Sequence, residues 1–251
     1  MGFYELDKEQ RQILVDKINQ NILSKTIKGQ SNLISDYFSD EDTYVRKTAY
    51  IALGRIYKEN KDLKNNILNF LDTQIKSKNE KIRQTVINAA GEIGKFDFEA
   101  IELFMKTGLF DEHHSVRNAV IGSIKKMSEK NPKPTLAFAK QFLHHEDKEI
   151  RREICHGIEL RGRTHPKDVL PLLKELQNDK TARVRKTLIH VLGQIAYKKG
   201  CLEIVIADLK QWENKELVAE AIEEIIDVHE RYKNFSEKTQ EQAIDYIEKN
   251  Y

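Results

Sequence analysis

The stretch Lys148–Lys199, KEIRREICHGIELRGRTHPKDVLPLLKELQNDKTARVRKTLIHVLGQIAYKK, decides the fold. It carries one device twice: an aliphatic residue and an arginine that open an amphipathic run. The copies are Ile150-Arg151 and, 34 residues later, Val184-Arg185. Between them lie a turn with Gly162 and Pro166 and a second amphipathic run, Val169 to Leu176. A helix pair recurring at such a period is the signature of a solenoid.

The device recurs along the chain at Val45-Arg46, Ile82-Arg83 and Val116-Arg117, and a sixth copy, Val218-Ala219, lacks the arginine. The aliphatic positions are spaced by 37 residues and then four times by 34. Apolar residues within each copy keep the same offsets. Val45, Ala49, Ala52, Leu53 and Ile56 correspond to Val184, Leu188, Val191, Leu192 and Ile195. This is the i, i+4, i+7, i+8, i+11 face of an α-helix. Ala52, Ala89, Ser123 and Gly157 share one offset, where small residues would let neighbouring helices approach.

A partner run precedes each of these helices: Ile67 to Ile75, Ile101 to Phe110, Leu136 to Leu143, Val169 to Leu176, and Leu202 to Trp212. Proline- and glycine-bearing turns separate the two kinds of run, as at Pro132 to Pro134, Pro166 and Gly200. Asp42 and Ser115 stand where N-caps are expected. Asp7 to Leu23 and Ser31 to Phe38 supply opening helices, and Ser236 to Lys249 a closing one. One helix pair buries too little to fold alone, whereas stacked pairs share a core. The expected fold is all-α, a single α-solenoid over residues 1–251 with about six repeats. Residues 1–41 form N-terminal helices, 42–235 the repeats and 236–251 a capping helix. The spacing and the arginine inside the second helix resemble HEAT repeats.

Composition narrows the classes further. Charged residues make up 33% and there are only 4 prolines, which suits a water-exposed helical protein. No run of about 18 apolar residues exists, so no membrane span or membrane partner is expected. The start, MGFYELDKEQ, lacks a secretory pattern, and Leu6 stands where a myristoylation signal wants Ser or Thr. Cys155 and Cys201 are unpatterned, so the expected location is the reducing cytoplasm.

The net charge of +2 hides a division. Residues 113–200 carry 19 Lys or Arg against 9 Asp or Glu, whereas residues 201–251 carry 6 against 13. The cations recur at the starts of second helices: Arg117, then Arg151 and Arg152, then Arg183, Arg185 and Lys186. Equivalent positions in a stack form a row, and a basic row on a concave face can follow a phosphate backbone. The same arginines could instead pair with loop acids in a structural ladder. Four residues before each arginine stand Asp42, Asn79, His113, Asp147 and Thr181, so a ladder in that register would be incomplete. The additional cations Arg152, Arg161, Arg163, Arg183 and Lys186 are the better candidates for phosphate contacts.

The same stretch resembles the HEAT-like-repeat DNA glycosylases of the alkylation-repair family. The resemblance rests on Ile150-Arg151-Arg152, Gly157 with Arg161 and Arg163, Val169-Leu170-Pro171-Leu172-Leu173, Asn178-Asp179 and Val184-Arg185-Lys186. It spans residues 147–213; elsewhere the pattern is general HEAT grammar. It implies duplex DNA held on a basic concave surface. In such enzymes a carboxylate and aromatic faces stabilise the cationic transition state of glycosidic cleavage. Where family members commonly show Asn-His-Leu-Asn-Asp, this chain has His190-Val191-Leu192-Gly193-Gln194, an amide in place of the carboxylate. Trp212 is the only tryptophan, Glu153 and Glu159 have none near them, and Tyr50, Tyr57 and Tyr197 are the alternative aromatic faces. No catalytic residue is therefore assigned.

The expected partner is duplex DNA or an acidic protein, and no cofactor is implied. His113-His114 and His144-His145 precede second helices without acidic or cysteine ligands at zinc-like spacing, so no metal is expected. Cys155 suits a small core position better than a thiolate. Glu216, Glu220, Glu223, Glu224, Asp227 and Glu230 fall at helical spacing, as on a solvated face.

Overall fold

The repeat register becomes two layers of helices. The computed structural model describes residues 2–30 and 32–251; Ser31, expected to open the second helix, lies outside them. The chain forms two compact units, Met1–Asn131 and Pro132–Tyr251.

In the first unit the helices are α1 (Lys8–Ile27), α2 (Asn32–Ser39), α3 (Thr43–Glu59), α4 (Lys64–Gln74), α5 (Glu80–Gly94), α6 (Glu102–Leu109) and α7 (His114–Lys130). The second helices α3, α5 and α7 pack side by side, with α2, α4 and α6 against them. The shared apolar offsets meet in the core: Ala49, Leu53, Val86, Ala89, Ile93, Val120 and Ile124 are all buried. The helices approach closely at Gly91, where an added Cβ would stand 2.6 Å from Ser123 Cβ.

The second unit holds α8 (Pro132–Lys140), α9 (Lys148–Gly157), α10 (Glu159–Gly162), α11 (Pro166–Lys174), α12 (Ala182–Ala196), α13 (Leu202–Leu209), α14 (Lys215–Arg231) and α15 (Gln240–Asn250). Here α12 packs between α9 and α14, α11 lies against α13, and α15 closes the end on α13 and α14. Ile150, Ile154, Val184, Leu188, Val191, Leu192, Ile195, Val218, Ala221 and Ile225 fill the core. This is an all-α solenoid of HEAT-like helix pairs, with no strand among the described residues.

The residue four places before each repeat arginine proves to be the N-cap of the second helix. These caps are Asp42, Asn79, His113, Asp147 and Thr181. Asp42, Asn79 and Asp147 accept from backbone N–H groups two residues on, at 2.8, 2.9 and 2.8 Å, satisfying donors that a helix start leaves unpaired. Ser115 is therefore not the cap of α7. His113 takes that place, its ring nitrogen accepting from the Ser115 N–H. The closing helix likewise starts later than Ser236, behind the Thr239–Gln242 capping box. Ser236 donates to the carbonyls of Tyr197 and Lys238 instead.

The arginines reach back past these caps. Arg83 Nη1 donates to the Ser77 carbonyl at 2.8 Å. Arg117 Nη1 donates to the Asp111 and Glu112 carbonyls at 2.7 and 2.9 Å. Arg151 Nη1 donates to those of His145 and Glu146 at 2.7 and 2.9 Å, and Arg46 clamps the carbonyls of Asp40 and Glu41. Two arginines also hold an aspartate 28 residues later in a fork: Arg83 with Asp111 at 2.7 and 3.0 Å, and Arg151 with Asp179 at 2.6 and 3.2 Å. Bidentate pairing of this kind is strong and directional.

Burial opposes ionisation of Asp111 and Asp179, yet the hydrogen bonds from Arg83 and Arg151 hold both carboxyls below the ordinary range. A depressed folded-state pKa contributes stability above the unfolded value of about 3.9 and loses it as pH falls through the folded value. Urea unfolding should therefore show the midpoint dropping below about pH 4, less steeply in Asp179→Ala. At neutral pH that variant should lose roughly 3 kcal/mol, because Arg151 is left part-buried without its partner. The exposed Lys180→Ala should stay within about 0.5 kcal/mol of the parent.

Candidate nucleic-acid interface and polar cluster

The second helices α9 and α12, with the short α10, carry most of the cations singled out by sequence. Of the eight cations expected to touch phosphate, Arg117 belongs to the first unit and the other seven to the second. Arg117 and Arg151 are engaged in the loop clamps. Arg161 Nε and Nη2 both donate to Asp168 Oδ2, at 2.8 and 2.6 Å, tying α10 to α11. Arg152 donates to Glu149 Oε2 at 3.0 Å and stands 3.5 Å from Glu153.

Arg183, Arg185 and Lys186 differ from these. Arg183 meets Glu149 Oε1 at 2.9 Å, but its side chain remains 65% exposed. Arg185 lines an open depression with Asn178, Asp179, Lys180, Asn214, Glu216 and Glu220. Lys186 is exposed beside a wider depression lined by Ile189, His190, Glu220, Glu223, Glu224, Asp227 and Arg231. The acidic face of α14 thus flanks the basic start of α12.

A second feature was not singled out as a site by sequence. Glu153, Glu159 and Gln194, each 2% exposed, lie buried on α9, α10 and α12. Glu159 Oε1 accepts from Arg163 Nη2 at 2.5 Å, and its Oε2 stands 3.1 Å from His156 Nε2. The same Arg163 nitrogen donates to Gln194 Oε1 at 2.7 Å. The signal for this cluster is present in the register. Nine residues after each aliphatic start stand Gly54, Gly91, Lys125, Glu159, Gly193 and Asp227. At Gly193 an added Cβ would lie 2.7 Å from Glu224 Cγ. In the fourth copy a glutamate occupies the offset that is glycine in three others, and its partner Arg163 reaches Gln194 of the next repeat.

The four aromatic residues weighed as candidate faces, Trp212, Tyr50, Tyr57 and Tyr197, are buried. Trp212 is buried, its Nε1 donating to Asp208 Oδ1 at 2.7 Å. The Tyr57 hydroxyl donates to Asp97 at 2.9 Å, and burial together with that carboxylate pushes its pKa up to about 12. The ring of Tyr50 lies 5.2 Å from Lys126 Nζ. Tyr197 stacks on Tyr232 at 5.3 Å and faces Lys198 and Arg163 at 4.6 and 6.0 Å. Tyr197 is the aromatic face that lies beside the Arg163–Gln194 pair.

The histidine pairs have local partners. His144 Nε2 meets Glu175 at 2.8 Å, and His145 Nδ1 accepts from the Asp147 N–H at 3.0 Å. His113 caps α7 beside His114. Cys155 is fully buried, which pushes its thiol pKa up and keeps it from acting as a thiolate.

Residues 135–226 match the HEAT repeats family. Among solved structures, AlkD2 from Streptococcus mutans superposes with a TM-score of 0.56 at 19% identity, over 78% of this chain and 97% of that one. Crescerin, which uses a TOG domain array to regulate microtubules in the primary cilium, superposes at 0.50 and 13% identity, over 77% of this chain and 88% of that one. The fold is that of HEAT repeats. No curated protein matches the chain in sequence.

The Arg163–Glu159 pair and the Arg183–Glu149 pair differ in burial and so in what they contribute. Arg163→Leu should cost about 2 kcal/mol by stranding a buried carboxylate. Arg183→Ala should change stability by no more than about 0.5 kcal/mol. Chemical denaturation of both variants checks this contrast.

Proposed function

We propose that the chain is a nucleic-acid-binding HEAT-repeat protein of the alkylation-repair type, which holds duplex DNA by its phosphates and leaves the glycosidic bond intact. The reading is supported by the family-like residues between Ile150 and Lys186 and by the fold shared with AlkD2. Its central observation is the exposed basic start of α12. Of the eight nominated cations Arg183 and Lys186 are the exposed ones, and Arg185 lines the open depression beside them. The exposed Arg183–Glu149 pair contributes little, so a phosphate can take the place of Glu149. Arg151, Arg152, Arg161 and Arg163 are committed to acids of the protein and are secondary in this reading.

Binding without cleavage follows from the chemistry of the cluster. Gln194 lacks the negative charge that an oxocarbenium-like transition state requires. Glu159 is charge-compensated by Arg163.

With about three phosphates neutralised, affinity for a labelled duplex should fall about 40-fold between roughly 50 and 200 mM salt; engagement of all eight cations would give on the order of 20,000-fold. Fluorescence anisotropy measures the slope, and Arg183→Glu with Lys186→Glu should remove binding. A flat salt response, or no binding at low salt, refutes the DNA reading. The second reading is a scaffold for an acidic protein, whose carboxylates would take the same exposed cations, Arg183 and Lys186. Loss of a captured partner in the same double variant, with DNA binding unchanged, would select it. Release of bases from methylated DNA above a protein-free control would instead identify an alkylpurine glycosylase.

A further inference from the structure

We propose that His156, Glu159 and His190 form a binding site for a divalent transition-metal ion, zinc being the expected one. The site is independent of the nucleic-acid reading and departs from the expectation of a metal-free chain. One ligand atom from each of the three residues lies within 4.8 Å of the other two. His156 Nε2 and Glu159 Oε2 are 3.1 Å apart. The imidazoles of His156 and His190 meet edge to face, with centroids 6.0 Å apart and planes at 77°. Ligand atoms about 2.0–2.1 Å from a tetrahedral zinc stand roughly 3.3 Å from one another, so modest rotamer adjustment completes the set.

The chemistry of the donors selects the ion. Two imidazoles and one carboxylate suit zinc and its neighbours, whereas calcium and magnesium prefer oxygen ligands. Three protein ligands leave a fourth position for water, as in open zinc sites. The surroundings also fit. Arg163 holds Glu159 Oε1 and so orients Oε2 toward His156. Glu224 Oε1 stands 3.8 Å from His190 Nδ1, a negative charge near the imidazole but beyond hydrogen-bond length. Two further donors of the cluster, Arg163 Nε and Gln194 Nε2, are buried without a hydrogen-bond partner. Buried donors without a partner favour an oxygen ligand such as a metal-bound water.

The ligands come from both sides of one helix junction. His156 lies at the end of α9, Glu159 opens α10, and His190 projects from α12 of the next repeat. Bound metal would therefore pin the break between α9 and α10 to α12. Because an ion that binds only the folded chain stabilises it, melting should report occupancy.

The test uses the full, tag-free chain, stripped with chelator and dialysed against zinc. Elemental analysis should give one zinc per chain, Co2+ should give the visible bands of a tetrahedral or five-coordinate site, and zinc should raise the Tm. His156→Ala, His190→Ala and the gentler His156→Gln should each weaken binding by at least about 100-fold, more than loss of an outer-shell partner does. The zinc-dependent Tm shift should disappear with them, while circular dichroism shows the apo variants folded. His144→Ala/His145→Ala should bind as the parent does. No zinc retained by the folded parent would overturn the proposal, and so would binding unchanged in the His156 and His190 variants or lost in the His144/His145 variant.

Discussion

Four of the six repeats depend on an arginine one turn inside the second helix that folds back onto the loop preceding that helix. The contact couples three parts of the chain with one side chain. The guanidinium closes the carbonyls of the loop, and in two repeats its fork also takes an aspartate from the loop of the next repeat. Arg151 and Asp179, with side chains 15% and 6% exposed, show why this geometry persists. A part-buried charge is tolerated only when it is paired and hydrogen-bonded, and this one has five acceptor contacts, so the helix start is held in one register. The apolar stripe supplies the burial that makes stacking favourable; the arginine clamp sets how consecutive pairs stack.

That constraint changes what basic residues in the repeats can do. Charge counted along the chain gives residues 113–200 a surplus of ten cations, but surplus is not availability. Arg151, Arg161 and Arg163 each spend their donors on a carboxylate of the same unit. A phosphate competing for one of them must also leave that carboxylate uncompensated, which is costly where the acid is buried, as at Glu159. It is cheap where the pair is open, as at Arg183. The basic block of the sequence thus contracts to the start of α12, and the neighbouring acids of α14 bound it on one side.

Much of the fold was legible because the apolar offsets repeat with a period that chance does not generate. Val45, Ile82, Val116, Ile150, Val184 and Val218 each lie in a second helix as expected. The partners of the arginines were not legible in the same way. A search four residues upstream finds Asp42 and Asp147, which are helix caps. The acid that pairs with Arg151 is 28 residues downstream, across a repeat boundary that only packing defines. Cap identity was also ambiguous. Ser115 is the better cap by residue type, but the register places His113 there, and its ring nitrogen can accept the same kind of hydrogen bond.

The polar cluster was hidden for a different reason. Glu159 shares its offset with Gly54, Gly91 and Gly193 but also with the charged Lys125 and Asp227, and what sets it apart from those two is that it is buried. A glycine at that offset lets the next second helix approach, as the crowding of Gly91 on Ser123 shows. Replacing it with a long carboxylate should push the helices apart unless the carboxylate finds partners between them. It finds Arg163 and His156, and the second helix breaks into α9 and α10 at this place. In a repeat protein the sequence average specifies the scaffold, so a costly departure from that average is where a site is most readily recognised. Glu159 is such a departure: buried, charged, and flanked by two imidazoles that the scaffold itself does not require.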